Sequence, residues 1–87
     1  MTLDELKADL RAILAEEEQQ QVDWGRVQLL CLGTIGRLAT EPEPSYAHEV
    51  VYHFLDDADI REKGTVYAER QRERLRAWLD PALQQVR

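Results

Sequence analysis

Residues 24–39 have the sequence WGRVQLLCLGTIGRLA, and this stretch is apolar on nearly every side when it is wound as a helix. Its apolar side chains form one stripe and a group outside it: Trp24, Val27, Cys31, Ile35 and Leu38 in the stripe, Leu29, Leu30 and Leu32 outside. A helix of this kind is buried on most of its sides. We therefore expect residues 24–39 to form the central helix, or to present part of this surface to a partner chain.

Two glycines interrupt the second half of this helix. Gly33 and Gly36 each cost about 0.8–1 kcal/mol relative to alanine in a helix interior. They lie on neighbouring sides of the helix, so a close approach by another helix would explain them. The alternative is a helix that is kinked or ends early near Gly36.

The segment before the central helix predicts a first helix over residues 3–18. Thr2 and Glu5 have the spacing of a capping box, in which each side chain bonds the backbone N–H of the other residue. The apolar residues that follow recur every three or four positions and share one face: Leu3, Leu6, Leu10, Ile13 and Leu14. This helix lays a single apolar stripe on the core.

A proline-containing loop follows the central helix. Residues 40–45 have the sequence TEPEPS, and Pro42 and Pro44 cannot continue a helix. Ser45 is the predicted cap of a third helix over residues 46–57. One side of that helix is apolar, and the other carries His48, Glu49, Tyr52, His53 and Asp56.

The remainder of the chain is more polar. Residues 57–64 form a polar linker with room for one helical turn, which Gly64 would end in a left-handed conformation. Thr65 is the predicted cap of a fourth helix over residues 66–79. Its apolar stripe is thin and is interrupted by Gln71: Tyr67, Ala68, Leu75, Trp78 and Leu79. Asp80 and Pro81 are typical of the start of a further short turn, over residues 82–86.

These patterns predict an all-α fold, a compact bundle of four main helices (about 3–18, 24–39, 46–57 and 66–79) with the proline-containing loop at 40–45. The 87 residues are expected to form a single helical domain, 1–87, with a small core. A chain of this size has little room for a deep active site that excludes water.

The chain is acidic, with a net charge of −6. This charge opposes binding to nucleic acid and to anionic membranes. The single cysteine, Cys31, excludes an intramolecular disulfide and is expected to be a buried apolar residue. The longest apolar run is far too short to span a bilayer, so we expect a cytoplasmic protein. The excess of arginine over lysine, with frequent alanine and leucine, suggests a bacterial source.

Two patterns were considered as metal sites. Glu49, His53 and Asp57 are spaced four apart and could meet on one helix face, with His48 nearby. One helix rarely supplies a closed site, so we expect a solvated face rather than a metal site completed by a partner or a general base. The acidic stretch from Asp56 to Asp59 does not match a calcium loop, because the positions that need glycine and glutamate are Glu62 and Ala68.

An arginine run lies in the fourth helix. Its alternation places Arg70 and Arg74 on one flank of the apolar stripe, and Arg72 and Arg76 on the other. Glu69 is positioned to pair with Arg72. The run is interpreted either as a surface for an anion or an acidic partner, or as structural pairing with the acidic ends of the first and third helices, where Glu16, Glu17 and Glu18 and the aspartates near 56–59 lie.

No catalytic motif, cofactor site or closed metal site is present in the pattern, so we expect a protein that is not an enzyme. The leading hypothesis is a small acidic, non-catalytic protein–protein interaction or regulatory protein. The expected interaction surface contains Tyr52, Glu49, His53, Asp56, Arg70 and Arg74. The alternative is an inhibitor or immunity-type protein that neutralises a basic partner, and a third is a weak metal-binding or enzymatic role of the His53 face. A homodimer through the side with Leu29, Leu30 and Leu32 is also considered.

Overall fold

The structure is a computed structural model that describes residues 1–81, and it contains five helices and no strand in that range. They are α1 (Leu3–Glu17), α2 (Trp24–Thr40), α3 (His48–Asp56), α4 (Ala58–Lys63) and α5 (Thr65–Leu79). The predicted all-α bundle with four main helices is confirmed, and the turn expected in residues 57–64 is the short helix α4. The turn predicted over residues 82–86 lies outside the described residues. Within residues 1–81, no helix is long and apolar enough to cross a membrane.

The central position of α2 is confirmed by its neighbours. Helices α1, α3 and α4 pack directly against α2, and α5 packs against α3 and α4. The core draws on all five helices, and its most buried apolar members are Leu6, Leu10, Val27, Val51, Phe54 and Leu75. The shortest dimension of the molecule is 19 Å, about the thickness of two helices. A bundle of two layers cannot enclose α2 on every side.

One side of α2 is left uncovered by residues 1–81, on the side where the sequence places Leu29, Leu30 and Leu32 outside the apolar stripe. Leu29 is 72% exposed and Leu32 is 64% exposed, whereas Leu30 is half-buried and packs against the core. Cys31, on the inner side of the same helix, is buried as expected. Burial raises the pKa of its thiol to about 11, although the nearby Arg61 guanidinium opposes that rise.

The glycines of α2 do not mark a close helix–helix contact. A Cβ atom added to Gly33 or to Gly36 would meet nothing within 4 Å. The helix also continues past both residues to Thr40, so the predicted early end near Gly36 is wrong as well. Both glycines lie on the exposed part of α2, where no neighbouring helix packs.

The helix ends agree with the sequence at α1 and differ from it at α3 and α5. The Thr2–Glu5 capping box is present. Helix α3 begins at His48 rather than at 46, and the residue before it is Ala47, so Ser45 is not its cap. Ser45 lies in a turn instead, where its N–H donates to the Glu43 carboxylate at 2.8 Å. Helix α5 begins at Thr65 rather than at 66, so Thr65 is its first residue and not its cap, and Gly64 is the residue before it. Gly64 is extended, with a φ of −129°, and does not close α4 in a left-handed turn.

A buried ion pair joins the end of α1 to α4. The side chains of Glu17 and Arg61 are both fully buried, and their Oε2 and Nη2 atoms are 2.9 Å apart. Nε of Arg61 also donates to both oxygens of the same carboxylate, at 3.0 and 3.1 Å. The two side chains therefore balance one another's charge in the interior, where Thr34 is the other buried polar residue among residues 1–81.

The rest of the Arg61 guanidinium is also satisfied. Nη1 donates to the backbone oxygen of Phe54 and to Oε1 of Gln71, and Nη2 lies 3.9 Å from Sγ of Cys31. The guanidinium carbon lies 3.7 Å from the centre of the Phe54 ring. Among the described residues, no buried side-chain polar atom lacks a hydrogen-bond partner. Arg61 is thus held by α1, α2, α3 and α5 at once.

The two glycines of α2 provide a test of this open surface. We expect Gly33→Ala and Gly36→Ala each to increase the free energy of unfolding by about 0.5–1 kcal/mol, because the new methyl group meets open space and alanine favours the helix. Urea denaturation followed by circular dichroism measures this gain. Gly64→Ala is the control and should give no such gain, since Gly64 is extended. A loss of stability in either α2 variant would show that a neighbour does occupy the space.

The buried pair provides a second test. Glu17→Gln leaves the Arg61 charge buried without a carboxylate, and we expect it to lower the free energy of unfolding by about 3–5 kcal/mol. Glu18→Gln is the matched control, because Glu18 is half exposed and pairs with Arg76 at the surface. That change should cost less than about 1 kcal/mol. Similar losses for the two variants in urea denaturation would contradict the central role of Glu17.

Candidate functional site

A groove lies between α3 and α5. It has a volume of about 800 Å³. Helix α3 contributes Glu49, Val50 and His53, and α5 contributes Tyr67, Arg70, Gln71, Glu73, Arg74 and Ala77. The α3 residues recur every three or four positions, and so do those of α5, because each set occupies one side of its helix. We refer to this feature as the α3–α5 groove.

The structure brings together four of the six residues of the expected interaction surface. Glu49, His53, Arg70 and Arg74 all line the α3–α5 groove, although the sequence separates the two pairs by about 20 residues. The remaining two side chains, Tyr52 and Asp56, lie elsewhere. The Tyr52 ring stacks on His48 with centres 5.0 Å apart, and Asp56 lines a different cavity, between α2, α3 and α4.

Arg70 and Arg74 differ from the other arginines of the described chain. Each of the others forms an ion pair with a carboxylate: Arg11, Arg26, Arg37, Arg61, Arg72 and Arg76. Within residues 1–81, Arg70 and Arg74 form none, and both are exposed. Their guanidinium groups lie one helical turn apart on the same side of α5. The groove therefore contains two guanidinium groups that form no ion pair with any side chain of residues 1–81.

The other flank of α5 confirms the predicted structural pairing with α1. Arg72 bonds Glu17 and Glu69, each at 2.9 Å, and Arg76 bonds Glu18 at 2.8 Å. Glu16 pairs with Arg26 at 3.2 Å. The acidic end of α1 is therefore neutralised within the molecule. No arginine of residues 1–81 pairs with the aspartates at the end of α3, so the same pairing predicted for that helix is not observed.

Gln71 connects the groove to the buried ion pair. Its Oε1 accepts a hydrogen bond of 2.8 Å from Arg61, and its Nε2 donates to Asp57 at 3.0 Å. The hydroxyl of Tyr67 donates to the same Asp57 oxygen at 2.7 Å. This arrangement explains why a polar residue interrupts the apolar stripe of α5. It also fixes the position of Tyr67, which is 42% exposed in the groove.

Sequence reasoning did not identify Arg61 or Tyr67 as parts of this arrangement. The sequence of residues 57–64 indicates a polar linker, and nothing in a polar linker indicates that one of its arginines is buried. Once α4 is recognised as a helix, Ala58 and Arg61 share its inner face, so the spacing of three would have indicated that Arg61 points inward. Tyr67 was assigned to the apolar stripe, whereas it lies at the edge of that stripe.

The histidines do not form a metal centre in the part of the chain that the structure describes. No group of three or more histidine, cysteine, aspartate or glutamate side chains converges there. Asp57 accepts hydrogen bonds from Tyr67 and Gln71, and His48 stacks between Tyr46 and Tyr52. His53 is exposed in the groove. The groove therefore offers charge and hydrogen bonding rather than a ligand set for a metal.

The Tyr67–Asp57 bond can be tested by titration. The hydrogen bond to Asp57 raises the pKa of Tyr67 above its usual value near 10, and burial and then the charge of Asp57 add to that rise. The fold thus favours the protonated phenol, and this contribution to stability is present below pH 10 and is lost as the pH rises through the pKa of the folded state. We expect Asp57→Ala to lower that pKa, as measured by NMR titration of the labelled ring carbons. Tyr46 serves as the internal control, and an unchanged Tyr67 pKa would contradict the bond.

Comparisons with known proteins supply no family for this chain. No family model, no curated protein and no solved structure matches it. The interpretation of the α3–α5 groove consequently depends on its own side chains and on their physical chemistry.

Proposed function

We propose that this protein is a non-catalytic interaction or regulatory protein that binds a carboxylate-bearing segment of a partner protein in the α3–α5 groove. One observation carries this proposal. Among the arginines of residues 1–81, Arg70 and Arg74 are the pair without a carboxylate partner, and both line the groove.

The chemistry of arginine favours a carboxylate as the group recognised. A guanidinium presents its N–H donors in a planar fork that matches the two oxygens of a carboxylate. Arg70 and Arg74 are four residues apart, and this spacing places their side chains side by side on α5. A partner segment with two acidic side chains could therefore bond both arginines at once.

The other charges of the groove favour a protein over a nucleic acid. Glu49 and Glu73 line the same groove, and the chain as a whole has a net charge of −6. A continuous row of phosphates would be repelled by these carboxylates. A polypeptide can instead place an acidic side chain at each arginine and a basic or neutral one near each glutamate.

The groove also has the composition of an interface. Tyrosine and arginine are the residue types that most often dominate binding energy at interfaces, and Tyr67 lies beside Arg70 and Arg74. The phenol of Tyr67 is held by Asp57, so little of its conformational freedom remains to be lost on binding. Val50 and Ala77 add apolar surface between the charged residues.

An inhibitor of a basic partner is less well supported by the same contacts. The acidic cluster at the end of α1 is not available to such a partner, because Glu16, Glu17 and Glu18 all pair with arginines of the same chain. Among the aspartates near the end of α3, Asp56 and Asp59 form no ion pair with residues 1–81, so they are two isolated charges rather than an extended acidic surface. A surface whose charges are already neutralised contributes little attraction to a basic protein. We therefore place the interaction surface at the two free arginines.

The proposal can be tested with a phage-displayed library of random dodecapeptides selected against the immobilised protein. We expect the selected peptides to be rich in aspartate and glutamate, and to shift the NMR signals of α3 and α5. Arg70→Gln with Arg74→Gln should weaken their binding by about tenfold or more, because charged hydrogen bonds are each worth about 1.5–3 kcal/mol.

The matched control is Arg11→Gln with Arg26→Gln. This double variant changes the net charge by the same amount and removes contacts outside the groove: two surface ion pairs and the hydrogen bond from Arg11 to the backbone oxygen of Leu79. It should bind the selected peptides as the unmodified protein does. If both double variants weaken peptide binding equally, the loss of affinity is due to the change in net charge, and the proposed role of Arg70 and Arg74 is wrong. Selection of peptides without acidic residues would contradict the proposal directly.

A further inference from the structure

A second cavity lies at the corner where α2, α3 and α4 meet, on the side of the molecule that carries the exposed Leu32. It has a volume of about 230 Å³. Cys31, Leu55 and Ala58 line it and are buried, and Ile35 lines it and is half-buried. The cavity is open to solvent on the side of Leu32, Asp56 and Asp59, which are exposed, so a ligand can enter from that side. Its volume exceeds the roughly 150 Å³ that holds a benzene molecule, so a short aliphatic chain fits against its apolar wall.

The polar residues of this cavity are two carboxylates and one amide. Asp56 ends α3, Asp59 lies in the first turn of α4, and Gln28 approaches from α2. Neither aspartate forms an ion pair with any residue of 1–81, unlike the acidic residues at the end of α1. The nearest buried cation, Arg61, is bound to Glu17 and does not neutralise them.

We propose that this cavity binds an ammonium group carried on an unbranched aliphatic stem. The ammonium would be placed between Asp56 and Asp59, where charge-assisted hydrogen bonds are the strongest available. The stem would pack against Leu32, Ile35 and Leu55 in the way that lysine side chains cover apolar surface. This site is separate from the α3–α5 groove and does not depend on the function proposed for it.

Other ligand classes fit the cavity less well. An anion would be repelled by the two aspartates, which have no neighbouring cation to offset them. A divalent metal needs more ligands, and no group of three or more metal-ligating side chains occurs among residues 1–81. A purely apolar molecule would contact only the apolar wall and would gain no attraction from the two exposed carboxylates. An aliphatic cation can pack its stem against the apolar residues and place its charge beside the carboxylates.

The test is an NMR titration of the protein with hexylamine, followed through its backbone amide signals. We expect hexylamine to shift the signals of Cys31, Leu55 and Asp59, and hexanoate, which has a similar length and the opposite charge, to leave them unchanged. Equal shifts with the two compounds would overturn the proposal. So would shifts by hexylamine confined to residues outside the cavity.

Variants extend the test to the residues named. Asp56→Asn with Asp59→Asn should weaken hexylamine binding by about tenfold. Asp4→Asn with Glu62→Gln removes the same charge outside the cavity and should leave the affinity unchanged. Leu32→Ala should weaken binding severalfold, whereas Leu29→Ala should not, since Leu29 is exposed and does not line the cavity. Binding that survives the loss of both aspartates would overturn the assignment.

Two sources of the ammonium can be distinguished by a second pair of probes, N-acetyl-lysine methylamide and its uncharged norleucine counterpart. Binding of the lysine derivative at least as tight as that of hexylamine identifies a lysine side chain of a polypeptide as the ligand. Binding of hexylamine alone identifies a free alkylamine. If neither amine shifts the cavity residues, the proposal is wrong, whatever the outcome at Arg70 and Arg74.

Discussion

Arg61 lies inside the core against the Phe54 ring, and its charge is balanced there by the carboxylate of Glu17. Transferring a charge from water into an apolar interior costs several kcal/mol, so the Arg61 guanidinium is tolerable there only while Glu17 is in place. This requirement fixes the end of α1 against α4. Because the guanidinium also bonds Phe54 and Gln71, the same constraint fixes α3 and α5.

The alternation of arginines along α5 gives this helix two flanks, one that pairs with α1 and one that lines the α3–α5 groove. Arg72 and Arg76 turn toward the acidic end of α1 and are neutralised there, while Arg70 and Arg74 turn toward α3 and are not. Gln71 lies between these two flanks and bonds Arg61 on one side and Asp57 on the other. A ligand in the α3–α5 groove would therefore contact residues of α5 whose position is fixed by the buried pair of Glu17 and Arg61.

The open side of α2 follows from the size of the chain. A domain two helices thick buries only part of a helix that is apolar all round, and here Leu29, Leu32 and the two glycines remain outside. The sequence separated the apolar stripe of α2 from the side with Leu29, Leu30 and Leu32, but it left open whether another helix of the chain would cover that second side. That choice depends on where α4 and α5 pack, and their apolar stripes are too thin to predict it.

The sequence by itself determined the helices, the capping box at Thr2, the loop at Pro42 and Pro44, and the two flanks of the arginine run. All of these depend on the spacing of apolar and charged residues and on the backbone preferences of single residues, and both can be read from a short stretch of sequence. Only the tertiary structure decided that Glu17 and Arg61 are buried together and that Glu49, His53, Arg70 and Arg74 share one groove. The reason is physical, because a charged residue can be buried only where a partner of opposite charge from another helix reaches it. The residues next to it in the sequence do not indicate whether such a partner is present.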